Sequence, residues 1–91
     1  MDDLKRESVE GIEAKQLLES TAFNRAFEML ETGVISKLRR VGVNDDATRN
    51  QLVLTLQLLD ALKSALQQTI ETGKMADITI EKPTMLRRMF G

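Results

Sequence analysis

Apolar positions recur at intervals of three and four residues along most of the chain, which is the spacing of an amphipathic α-helix. The pattern predicts three helices, over residues 8–19, 21–41 and 46–72. Ser20 or Thr21 offers an N-cap oxygen before the second helix, and Gly73 is a suitable stop for the third. "VGVNDDA" separates the two longer helices. Its Asn44, Asp45 and Asp46 can cap the next helix and place acidic groups at the positive end of that helix.

The second and third helices carry apolar stripes that complement one another. On the second helix the stripe is Phe23, Phe27, Leu30, Val34 and Leu38, and on the third it is Leu52, Leu56, Leu59, Leu66 and Ile70. Because the connecting turn is short, we expect the two helices to pack antiparallel along these stripes. The first helix is weaker, since Gly11 within it costs about 1 kcal/mol relative to Ala.

The third helix has more apolar surface than one neighbour can cover. Its apolar arc spans roughly 220°, whereas one antiparallel partner covers about 100–120°. The unmatched stripe consists of Leu54, Leu58, Ala61, Leu62 and Ala65. We therefore predict that these five residues form an interface with another copy or another protein.

Beyond Gly73 the pattern changes from helical to extended. "ADITIEKP" alternates apolar and polar residues, and Pro83 cannot continue a helix. The sequence thus predicts a helical domain over residues 1–75 and an extended arm over residues 76–91. The residues expected to dock the arm are Ile78, Ile80, Met85, Leu86, Arg87, Arg88, Met89 and Phe90. The arm could pack on the protein's own helices or on a partner.

The predicted fold class is all-α: a short N-terminal helix, an antiparallel two-helix hairpin and an extended C-terminal arm. The composition agrees with a folded chain, since 42% of the 91 residues are hydrophobic and 30% are charged. The net charge of −1 argues against wholesale binding to nucleic acid or an anionic membrane. No apolar run is long enough to span a bilayer, and the acidic start "MDDLKRESVE" differs from a secretion signal.

The residue types that carry most enzyme chemistry are missing. The sequence has no histidine and no cysteine, which removes the commonest general bases, nucleophiles and zinc ligands. "ETGK" lacks the first glycine and the Ser or Thr of a phosphate-binding loop. We therefore expect a non-enzymatic protein with no catalytic residues, no cofactor and no metal.

One basic cluster has two interpretations. It comprises Lys37, Arg39, Arg40 and Arg49, which could contact phosphate groups. The alternative is that these residues compensate the dipole at the end of the second helix and pair with Asp45 and Asp46. The second interpretation is favoured, so nucleic acid is not the preferred partner.

Two segments resemble small helical proteins encoded in the head and DNA-packaging gene clusters of tailed bacteriophages. They are "LLESTAFNRAFEMLE" at residues 17–31 and "RNQLVLTLQLLDALKSALQQTIETGK" at residues 49–74. The resemblance covers roughly residues 14–76, and this chain has Thr21 where many of those proteins have proline. It implies a role in the virion or in its assembly, with no activity attached to particular residues.

Together these observations predict a structural or assembly component of a phage virion. We expect it to act by forming homo-oligomers and by docking its arm on other virion or assembly proteins. It would be found in the virion or the host cytoplasm, not secreted and not in a membrane. One alternative is a small DNA-binding or DNA-packaging accessory protein. Another is a helical inhibitor or adaptor of a host protein.

Overall fold

The computed structural model describes residues 2–81, which form three helices: α1 (Asp2–Glu19), α2 (Thr21–Arg40) and α3 (Asp46–Glu81). No strand occurs within this range. The all-α class predicted from the apolar spacing is thus confirmed for the described part of the chain.

Local capping explains where two of the helices begin. Ser20 separates α1 from α2, and its Oγ accepts a hydrogen bond of 3.2 Å from the backbone N–H of Phe23. At the start of α3, the Asp45 carboxylate accepts a 3.1 Å hydrogen bond from the backbone N–H of Thr48. Each oxygen satisfies an N–H group that has no partner within the helix. Ser20 and Asp45 are each one of the candidate caps that the sequence offered.

α1 is longer than predicted, because it begins at Asp2 instead of near Ser8. Two acidic residues, Asp2 and Asp3, occupy its first turn, where the helix dipole favours negative charge. A guanidinium nitrogen of Arg6 also lies 3.1 Å from a carboxylate oxygen of Asp3, one turn earlier on the same face. These interactions favour an early start that the apolar pattern alone does not contain.

The prediction of an extended arm beginning at residue 76 is wrong for residues 76–81, which continue α3 to Glu81. Gly73 does not end the helix, since no glycine among residues 2–81 has a positive φ. Gly73 and Ala76 are instead buried, and packing against another helix outweighs the strand propensity of the alternating segment. The rest of the predicted arm, residues 82–91, lies outside the described residues.

The chain divides into two compact units that share α3. The first unit combines Met1–Leu18 with Ala65–Gly91, and the second comprises Glu19–Ser64. Each unit therefore pairs one shorter helix with one part of α3. A pair of helical segments can bury only one stripe of each partner.

In the first unit α1 crosses α3 at a pair of glycines. A Cβ atom added to Gly11 would lie 2.9 Å from the Cα of Gly73, so the two backbones touch. Ala14 and Ala76 are also buried beside them. Ser8 donates a hydrogen bond to the carboxylate of Asp77. Since residue numbers rise along α1 as they fall along α3 across these contacts, the two segments run antiparallel.

In the second unit Phe27 is the best-buried large side chain, with 3% of its surface exposed. Lys63 on α3 lies over it, with Nζ 4.1 Å from the ring centroid and 3.9 Å from Oε1 of Glu31. This cation–π contact and ion pair join α2 to α3. The surrounding half-buried apolar residues are Phe23, Val34, Leu38, Leu52, Leu56 and Leu59.

The apolar core is small. Among the described residues only Ala14, Phe27, Ile70 and Ala76 are buried apolar residues. Two of the four are alanines, whose burial contributes little. Most of the larger aliphatic side chains therefore remain partly or largely in contact with solvent.

Candidate interaction surface

The stripe on α3 that the sequence singled out is exposed along its whole length. Leu54, Leu58 and Leu62 are 55%, 62% and 46% exposed, and Ala61 and Ala65 are also exposed. Leucines are usually buried when they cluster. The five residues, referred to below as the α3 stripe, form a candidate surface for interaction.

The α3 stripe lies away from the contact with α2. At about 100° per residue, its centre is about 140° round the helix from Leu52, Leu56 and Leu59. Those three leucines are half-buried in the second unit. The apolar surface of α3 thus has one side covered by α2 and another side uncovered.

The predicted stripe pairing is wrong at Leu30, which is 57% exposed. Leu30 lies about 60° round α2 from Phe27, at the edge of the contact. Glu31 is half-buried instead, because Lys63 reaches it. Leu66 and Ile70, expected opposite α2, belong to the unit that contains α1.

The basic cluster is partly engaged in local structure. Arg49 pairs with Asp46 at 2.7 Å and donates hydrogen bonds to the carbonyl oxygens of Gly42 and Val43 at 3.0 and 3.2 Å. Arg40 donates a 2.7 Å hydrogen bond to Ser36. Arg49 thereby fastens the turn between α2 and α3, which supports the structural interpretation for that residue.

The other two basic residues, Lys37 and Arg39, are exposed near the end of α2. Lys37 and Arg40 border an open depression whose floor includes Val41 and Leu52. The depression also contains Asp45, so its charge is mixed. A phosphate contact at these residues stays a prediction.

The residues predicted to dock the arm fall into two groups. Ile78 and Ile80 lie on α3, where Ile78 is 41% exposed and Ile80 is half-buried. The other six, Met85, Leu86, Arg87, Arg88, Met89 and Phe90, lie outside the described residues. Ile78 and Ile80 therefore cannot add as a strand to a partner while α3 is intact.

Within residues 2–81 no three acidic side chains lie close enough together to hold a metal ion. In the same range, every buried side-chain nitrogen or oxygen atom has a hydrogen-bond partner. None of the helices in the described part is both long and apolar enough to cross a membrane.

The apolar pattern did not predict two contacts between helices. One is Lys63, whose position between Glu31 and Phe27 depends on how two helices meet. The other is the glycine crossing, which did leave a signal: "GIEA" at residues 11–14 and "GKMA" at residues 73–76 share a Gly-x-x-Ala spacing. Small residues at such spacing let two helices approach closely.

No family model, curated protein or solved structure matches the chain.

Proposed function

We propose that this protein is a non-enzymatic assembly component that acts by associating with itself through the α3 stripe. The observation that carries the proposal is the exposure of all five stripe residues on a helix whose other side is already half-buried. The full burial of one leucine side chain is worth about 1.5–3 kcal/mol. Three half-exposed leucines in one stripe therefore leave substantial free energy to be gained by association.

The second unit is proposed to be an antiparallel hairpin of α2 and the first part of α3. Contacts of Lys63 with Phe27 and Glu31, and the short turn at residues 41–45, support this arrangement. In an antiparallel hairpin, residues rotated in the same sense from the two contact lines lie on one side. Leu30 is rotated by about 60° from Phe27, and Leu58 and Leu62 are rotated in the same sense from Lys63, so all three share a side. The uncovered surface then extends over both helices.

A face that spans two helices matches the inner face of half a four-helix bundle. Bundles of this kind bury such faces by packing two hairpins together. A hairpin alone has no second layer to cover it, whereas a stable domain normally needs two packed layers. Association would therefore complete the core that the single chain leaves open.

We place this association in a phage virion or in its assembly, within the particle or the host cytoplasm. The support is the resemblance of residues 14–76 to small helical proteins of phage head and packaging gene clusters. Residues 82–91, with three basic and four large apolar side chains, would dock on a neighbouring virion or assembly protein. Arginine and large apolar groups together are typical of interface anchors.

The experiment is light scattering on the purified chain over a wide range of concentration. The wild type should change from a smaller to a larger species as concentration rises. Leu58→Glu, which places a charge in the α3 stripe, should remove the larger species and keep the helix content. Gln67→Glu is the matched control, because it adds the same charge on the far side of α3. A wild type that stays monomeric at millimolar concentration would refute the proposal.

A further inference from the structure

We infer that the partner of the α3 stripe is a second copy of the chain packed antiparallel to the first. The twofold axis that relates the two copies would lie level with the midpoint between Leu59 and Asp60. This inference rests on the proposed self-association and specifies its geometry. Three properties of α3 carry it: the symmetry of the stripe, its lack of charge and its length.

Four of the five stripe residues are spaced symmetrically along α3, and Leu62 lies on the flank of this set. Leu54, Leu58, Ala61 and Ala65 are separated by 4, 3 and 4 residues, which is symmetric about the midpoint. In an antiparallel pair centred there, Leu54 faces Ala65 and Leu58 faces Ala61. Each large side chain thus meets a small one, which is how facing helices interdigitate.

The symmetry continues outward along α3. The next positions at the same spacing are Gln51 and Gln68, which face each other in the same register. Both are exposed, and an amide can donate and accept hydrogen bonds with another amide. A parallel pair would instead place Leu54 on Leu54 and Ala65 on Ala65, which leaves large opposite large and small opposite small.

The charges of α3 favour a copy of itself over a charged partner. Residues 50–70 contain only two charged side chains, Asp60 and Lys63. Lys63 is turned towards Glu31 and Phe27. Asp60 lies more than 120° round the helix from the stripe centre. A twofold axis brings charges near it close to their own copies, so a central seam without charged side chains avoids that repulsion. Glu7 and Glu10 of α1 border only its Ala65 and Gln68 end.

The length of the stripe sets the strength of the association. From Leu54 to Ala65 it rises about 17 Å, and from Gln51 to Gln68 about 26 Å, at 1.5 Å per residue. A standard stable interface buries about 800 Å² per partner, contributed by about 20–30 residues. An interface formed by one helix from each copy falls short of that area. The dimer should accordingly dissociate on dilution.

Single-cysteine cross-linking tests the geometry directly, because the chain has no cysteine of its own. A disulfide needs Cα atoms about 4.4–6.8 Å apart. In the antiparallel pair, two copies of position 61 are offset along the axis by only about 4.5 Å, and two copies of position 65 by about 16 Å. Under mild oxidation Ala61→Cys should therefore form a covalent dimer.

Ala65→Cys alone and Leu54→Cys alone should stay uncross-linked, whereas a mixture of the two should form a mixed dimer. Gln67→Cys, on the far side of α3, is the control for random collision. Cross-linking of all three stripe variants alone would show a parallel pair and overturn the inference while leaving self-association intact. A wild type that dimerises with no cross-link at any stripe position would also overturn it. A wild type that never dimerises would refute the proposed function itself.

Discussion

Gly11 and Gly73 show what a residue without a side chain does for a pair of helices. In an isolated helix each costs stability because its backbone is freer in the unfolded state. Here each lies where the other's Cα leaves no room for a Cβ. The close approach of the two backbones therefore depends on the absence of both side chains.

Replacing Gly73 by Ala should destabilise the protein by about 1–3 kcal/mol, the usual cost of overpacking. The added Cβ would lie 2.9 Å from the Cα of Gly11 and 3.0 Å from the carbonyl oxygen of Glu7. Urea denaturation followed by circular dichroism measures the change, at equal protein concentration because association contributes.

Gly33→Ala is the matched control, since a Cβ there meets nothing within 4 Å. It should stabilise α2 by about 0.5–1 kcal/mol. If Gly73→Ala stabilised the protein as Gly33→Ala does, the crossing of α1 and α3 would not be as close as described.

Asp45 gives a prediction about pH. Its pKa is held below the ordinary value by hydrogen bonds from the Thr48 side chain and backbone, with a further contribution from the charge of Arg49. Because the folded-state pKa is the lower one, the capping interaction is fully present above the unfolded value of about 3.9. The capping interaction is lost as the pH falls through the pKa of Asp45 in the folded state.

In an NMR titration the amide signal of Thr48 should therefore move with a midpoint below about pH 3.9. Thr48→Val removes the side-chain hydrogen bond and should shift that midpoint upward. A wild-type midpoint at or above the ordinary value would mean that Asp45 does not cap α3.

At the scale of the helices, Phe27 anchors α2 on α3. Phe27→Ala should cost about 3–5 kcal/mol, because it empties a buried site and removes the ring beneath Lys63. Met29→Ala is the control on the same helix, since Met29 is 70% exposed. It should change the free energy of unfolding by no more than about 0.5 kcal/mol. If the two substitutions lowered the free energy of unfolding equally, a different face of α2 would have to contact α3.

The features of the helices that depend on neighbouring residues could be predicted from the sequence. Ser20 and Asp45 act on backbone groups three residues away, and each was among the candidate caps. The exposure of Leu58 was predictable in the same way, because one helix cannot cover an arc as wide as that of α3. These features need no knowledge of which distant segments meet.

The end of α3 could not be predicted, because it depends on a contact between segments far apart in the chain. Gly73 has the local signature of a helix stop, and Ile78 and Ile80 have that of a strand. Only the presence of α1 alongside changes the outcome. Leu30 was misplaced for a related reason: a face half the circumference wide has edges that a single partner does not cover.

At the scale of the whole molecule, the C-terminal segment accounts for much of the charge balance. Residues 82–91 carry Lys82, Arg87 and Arg88 and no acidic residue, so the net charge falls from −1 to −4 without them. The docking proposed for this segment therefore predicts a partner with acidic groups around apolar pockets.

Deleting residues 82–91 leaves every described helix whole. The helical circular dichroism signal, divided by the number of helical residues, should therefore not change. The deletion should stop assembly at the α3 dimer, as measured by light scattering with the proposed virion partner present. A matched variant that keeps the length, with Met85, Leu86, Met89 and Phe90 replaced by Ser, should behave in the same way. Loss of helix signal in either variant would instead mean that the segment packs on the protein's own helices.

The sharing of α3 between two units has a consequence for how the chain folds. The contact of Phe27 with Lys63 closes a loop about half as long as that closed by Ser8 and Asp77, which are 69 positions apart. Each doubling of a loop costs about 0.6 kcal/mol in entropy. The turn at residues 41–45 can therefore nucleate α2 on α3 first, which shortens the search that remains for α1. During synthesis α1 leaves the ribosome well before its partner segment exists, and at about 5–20 residues per second it waits several seconds for it. We therefore expect the helix that is made first to dock last.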